Sequence, residues 1–153
     1  MDEFLLRKTI EHLETSQNAL SEFNFRDFAS RFYYAYINLL ALLGIKKGGH
    51  WHKKESYEFP SDSNFEKVWE ELNVWRLLAD YEVRKVQEQV GRRKKFFSEV
   101  ENEFKEFLRV ELINFLEDEL KIYLLKSDLS EPVKYLILKK LEVVIQWLKI
   151  ATL

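Results

Sequence analysis

SNFEKVWEELNVWRLLADY, Ser63 to Tyr81, reads as one amphipathic helix with a charge set among its apolar positions. Phe65, Val68, Trp69, Leu72, Trp75 and Ala79 recur at three- and four-residue intervals and form one stripe. At about 100° per residue, Arg76 falls near the centre of that stripe. A guanidinium aimed at a core costs about several kcal/mol unless it is paired. Asp80, one turn later, is the local candidate, and the pair would anchor this helix against its neighbour. On a surface such a pair contributes about 0.3–0.5 kcal/mol; inside an apolar stripe, breaking it costs about 3–5 kcal/mol. Arg76→Met is therefore expected to unfold the chain or split its assembly, a structural role that leaves room for a functional one. Ser63 opens S-N-F-E, a capping box in which Glu66 reaches back to the cap backbone.

Working outward, nearly every segment carries helical periodicity. Leu6, Ile10, Leu13 and Leu20 mark a first helix over roughly residues 2 to 22, with His12 off its stripe and solvated. Asn24 caps a second, with Asp27 in its first turn. That helix turns Phe25, Phe28, Ala29, Phe32, Tyr36, Leu39, Leu40 and Leu43 to one side and ends at Gly44. Tyr34, Ile37 and Ala41 lie on or beside its other side, so it is either central in the bundle or covered by a second subunit. Arg31 and Tyr34 stand three apart, close enough for a cation–π contact. Val90, Phe97, Val100, Phe104 and Phe107 predict a fourth helix. Glu111 then occupies an apolar position, which predicts a bend or break before a fifth helix with Leu112, Leu116, Leu120 and Leu124. Ser130 caps a sixth, with Pro132 in its first turn and Val133, Ile137, Leu141, Val144 and Leu148 as its stripe. The expected fold is all-α, an up-and-down bundle of about five to six helices in a single domain.

Composition bounds the function. A chain of 153 residues can bury roughly 70% of its unfolded surface. No run approaches the roughly 20 apolar residues of a membrane span, and the charged start MDEFLLRKTIEH does not resemble a signal peptide. These features lead to the expectation of a soluble cytoplasmic protein. Without cysteine there is no disulfide framework and no thiolate zinc site. The net charge of −2 hides a split between a basic stretch and an acidic one. Arg84, Lys85, Arg92, Arg93, Lys94 and Lys95 face one acid, Glu88, before eight acids follow between Glu99 and Glu119. That is either two solvated helix faces or a local patch for phosphate.

Residues 44 to 62 form the one long irregular segment, and such a loop is mobile or functional. Its His50-Trp51-His52 lacks the further ligands a metal needs, so no metal site is expected. With Lys46, Lys47, Lys53 and Lys54, these histidines suit phosphate, and the lysines also suit plain solubility. Gly48-Gly49 lacks the Walker pattern, and no cofactor is implied.

Two motifs together resemble a known family. Arg31, Tyr33, Tyr34, Ala35, Ala41 and Leu42 spell R-x-YYA-x5-AL; a loop with His50 and His52 follows; then Arg76, Ala79, Asp80 and Tyr81 spell R-x-x-ADY. The combination is similar to HEPN domains of the small prokaryotic kind, over roughly residues 1 to 108. Residues 109 to 153 would be additional C-terminal helices. The resemblance implies a homodimeric helical bundle partnered with a small nucleotidyltransferase in toxin–antitoxin operons. Many such domains are metal-independent RNA endonucleases with an R-x4-6-H motif composed across the dimer. In this chain the positions for that histidine are Tyr81, Glu82 and Val83. The first expectation is therefore a module that binds its nucleotidyltransferase, RNA or a nucleotide, through Arg31, Tyr34, His50, His52, Lys53, Arg84, Arg92 and Arg93. One alternative is a divergent ribonuclease using Arg76 and Tyr81, with His50 or His52 brought in from the loop. Another is a helical scaffold whose last helices dock a larger assembly.

Overall fold

A computed structural model describes residues 2–81 and 96–153. These residues fold into five helices: α1 (Glu3–Ser21), α2 (Phe25–Leu42), α3 (Phe65–Asp80), α4 (97–126) and α5 (Glu131–Ala151). Val90 and the basic stretch from Arg84 to Lys95 lie outside the described residues.

Local chemistry starts and stops the first two helices. The Asp2 carboxylate accepts from the backbone N–H groups of Phe4 and Leu5 at 2.9 and 3.2 Å, and Asn24 Oδ1 accepts from Asp27 N at 3.0 Å. At the end of α2, Ile45 N–H donates to Leu40 O and Gly44 N–H to Ala41 O, with Gly44 at φ 76°. This double bond closes the helix and needs a left-handed residue, which glycine supplies without strain. Phe23 performs the same duty after α1 at φ 55°.

α2 is the central helix. Phe25, Phe28, Ala29, Phe32, Tyr36, Leu39 and Leu40 are buried as the periodicity predicts, and Leu43 is half-buried. On its other side Ile37 is buried while Tyr34 and Ala41 are half-buried, with α1 and α3 flanking the helix within one chain. On α1 the buried line runs through Thr9, Leu13, Ser16 and Leu20, while Leu6 and Ile10 are only half-buried. The two hydroxyls are buried without loss because they donate to carbonyls one turn back, at 2.8 and 2.6 Å.

Where a break was expected near Glu111, the chain runs on as one helix. Phe97–Phe107 and the short segment Ile113–Phe115 are α-helical; Leu108–Leu112 and Leu116–Leu120 are π-helical turns; Lys121–Lys126 completes it. The reason is a strict four-residue repeat: Phe104, Leu108, Leu112, Leu116, Leu120 and Leu124 are each at most 1% exposed. An α-helix of 3.6 residues per turn rotates such a repeat by about 40° each step, which would wind it off the core. The wider i→i+5 turns cancel that rotation. Glu111 consequently swings onto the α3 surface, where it pairs with Lys67 at 2.9 Å.

The capping box at Ser63 forms only in part: Ser63 Oγ accepts from Phe65 N–H at 3.4 Å, without the Glu66 half. Ser63 Oγ donates to Pro60 O, and the N-cap is Asn64, whose backbone N–H and Nδ2 both donate to the Glu119 carboxylate of α4, at 2.9 and 2.6 Å. Glu66 lies 3.7 Å from Lys54 instead. Ser130 holds the N-cap position of α5 without a side-chain cap bond, with Pro132 in the first turn. No helix among the described residues is long and apolar enough to cross a membrane.

Candidate functional site

Arg76 lies where the helical spacing places it and is 4% exposed. Its partner is not Asp80. The Asp80 carboxylate accepts from Ser30 Oγ at 3.1 Å, and no ion pair joins it to Arg76 among the described residues. Arg76 Nη2 donates to Asn73 Oδ1 at 2.7 Å, one turn back on the same helix. The guanidinium lies over the Tyr33 ring, 4.7 Å from its centroid, with the Tyr81 ring 5.8 Å away. Buried Nε has no hydrogen-bond partner. The guanidinium is thus held by aromatic faces, the Asn73 amide and the Tyr33 hydroxyl, with no carboxylate in contact among the described residues.

The loop delivers His52 to the same place. Tyr33 OH and His52 Nδ1 are 2.8 Å apart, and the two rings stack at 5.7 Å. Loop order makes this possible. Lys46 and Tyr57 form an isolated antiparallel bridge, and the N–H groups of Lys47 and Gly48 donate to Ser56 O. Ser56 Oγ accepts from His50 N, and Tyr57 OH donates to Trp51 O at 2.6 Å. Gly48 is required there, since a Cβ would sit 2.8 Å from Ser56 Oγ. The segment expected to be mobile or functional is a closed, internally bonded loop with an exposed histidine near its tip.

His12 completes the cluster, contrary to its expected solvation. It is half-buried on α1, 5.7 Å from the Tyr34 ring, and Tyr34 in turn meets the His52 ring edge-on at 6.1 Å. Burial, then Arg31 and Lys8, lowers the His12 pKa. Burial and Arg76 lower that of His52. Both imidazoles are therefore neutral near pH 7. Burial drives the Tyr33 phenol well above its ordinary range, so it acts as a hydrogen-bonding group and not as a base.

The remaining sequence candidates divide clearly. Arg31 is exposed and lies 3.6 Å from Asp27; no cation–π contact joins it to Tyr34 among the described residues. His50 and Lys53 are exposed on the loop. Tyr81 is 41% exposed at the end of α3, beside Arg76. Arg84, Arg92 and Arg93 lie outside the described residues. No group of three or more metal-ligating side chains occurs among the described residues. Spacing gave no signal for Tyr33 and His12 as site residues. Tyr33 stands in the R-x-YYA motif without a role of its own, and the α1 stripe predicted from Leu6 and Ile10 turns His12 away from the bundle.

No family model matches the chain, and no solved structure matches it. It is similar to an uncharacterized protein of Methanocaldococcus jannaschii, 29% identical over 157 residues, which takes in 95% of this chain and 89% of that protein.

Proposed function

We propose that the chain is a HEPN-like module that binds RNA or a nucleotide by its phosphate at the Arg76–Tyr33–His52 cluster. In this reading it is the partner of a small nucleotidyltransferase in a toxin–antitoxin or regulatory pair, acting as a homodimer in the cytoplasm. The observation that carries the reading is the unpartnered Nε of a buried Arg76, seated on Tyr33 beside an exposed His52. A phosphate oxygen supplies the charge-assisted acceptor that the guanidinium lacks. Asp80 makes no ion pair with Arg76 and bonds Ser30 instead, so the guanidinium has no carboxylate in contact among the described residues.

A second reading, metal-independent RNA cleavage, is favoured by the delivery of His52. A search forward from Arg76 finds only Tyr81, Glu82 and Val83, yet the loop supplies a neutral imidazole in space. In the tautomer whose Nδ1–H donates to Tyr33 O, His52 Nε2 is the acceptor that a general base needs. It would take the proton of a ribose 2′-OH as that oxygen attacks the neighbouring phosphorus, forming a 2′,3′-cyclic phosphate. The 5′-oxygen leaves and takes a proton from water, and Arg76 stabilises the charge on the phosphoryl oxygens.

One experiment addresses both readings. Purified protein and its His52→Ala variant are titrated into fluorescent single-stranded RNA at several salt concentrations, with and without EDTA. Binding that weakens with salt, and about tenfold further in His52→Ala, supports the phosphate site. EDTA-resistant cleavage lost in the variant supports the second reading. RNA that neither binds nor is cut contradicts both.

A further inference from the structure

Beside the phosphate site, three rings from three segments meet in a row, the first two tilted by 31° and the last two edge-on at 81°. His12 of α1 lies 5.7 Å from Tyr34 of α2, and Tyr34 lies 6.1 Å from His52 of the loop. His12 and Tyr34 are half-buried and His52 is exposed. Tyr34 sits at the edge of the core, its ring meeting that of buried Tyr33 edge-on at 5.4 Å. Asp80, the carboxylate next to them, is held by Ser30. Planar, uncharged rings flanking an anion-deficient guanidinium match the chemistry of a nucleotide, in which a flat base lies a few ångströms from each phosphate.

We propose that His12 and Tyr34 form a base-stacking subsite, so that the module grips single-stranded nucleic acid by a base as well as a phosphate. The subsite rests on the phosphate-site reading above. The phosphate occupies Arg76 and His52, and the adjacent base lies on the His12–Tyr34 surface. Base–aromatic stacking of this kind tolerates any base and requires an unpaired strand, so duplex is excluded by geometry. His12 is a binding residue here, and its imidazole acts through its face and not its charge.

The test compares two probes of equal charge, a fluorescent hexamer of adenylate and the same hexamer with its central positions abasic. For the wild type, the base-bearing probe is expected to bind about tenfold more tightly. His12→Leu is expected to erase that ratio, while His12→Phe, which keeps a stacking face, retains it. The ratio of the two affinities does not depend on the fraction of protein folded, so a destabilised variant still reports. Equal affinities in the wild type, or a ratio unchanged in His12→Leu, would overturn the stacking subsite and leave the phosphate site standing. Failure of the wild type to bind either probe would overturn the phosphate site and the subsite together.

Discussion

Arg76 is unusual because its neighbours do not neutralise it. A buried guanidinium normally meets a carboxylate, but here it has the Asn73 amide, the faces of Tyr33 and Tyr81, and a spare Nε. This reverses the stability argument drawn from spacing alone. With an Asp80 pair, Arg76→Met would have stranded a buried carboxylate; with Asp80 exposed and bonded to Ser30, it strands nothing. Replacing an incompletely compensated buried ion by an apolar side chain is often neutral or stabilising, by about 1–4 kcal/mol. Asn73, half-buried, can turn its freed oxygen to water. The Arg76–Asp80 ion pair expected from spacing therefore does not account for Arg76.

At the scale of helices, long-range contacts displaced the local rules. The capping box at Ser63 is a sound local motif, but the Glu119 carboxylate satisfies the same N-terminus with two bonds from across the bundle. Glu119→Ala is expected to lower stability by about 1 kcal/mol, as the loss of an N-cap does, measured by urea unfolding. Its effect should shrink in a background where Asn64→Ala has already removed the side-chain bond, since the backbone N–H bond to Glu119 remains. Ser63→Ala, by contrast, should fall within about 0.5 kcal/mol of the wild type. The reading of α4 failed for a different reason. A four-residue leucine repeat was tested against an α period, so Glu111 looked like a break, whereas π-helical turns change the period and keep the leucines inside.

Across the whole molecule, the α2 and α3 stripes were legible because both helices face one core with ordinary α periodicity. The position of Arg76 was legible for the same reason. Its surroundings were not, since Tyr33 lies on another helix and His52 reaches it through a loop closed by backbone bonds. His12 was lost because hydroxyl-bearing Thr9 and Ser16, which read as polar, are the buried line of α1. The two histidines set a pH response. Their folded-state pKa values lie below the ordinary value of 6.5, so the unfolded chain binds more protons as pH falls through that value. Stability from this source is present above about pH 6.5 and declines below it, while Glu71, raised by burial, pulls weakly the other way. Urea unfolding between pH 7.5 and 5.5 should show the decline, and a His12→Gln, His52→Gln double variant should flatten it.

The central claim is that Arg76 is kept for an anion and not for the fold. Its most direct test is Arg76→Met, followed by thermal unfolding and by titration with fluorescent single-stranded RNA on the same preparation. The account predicts a melting temperature equal to or above that of the wild type, with RNA binding lost. A variant that unfolds at markedly lower temperature, or one that binds RNA undiminished, would contradict it.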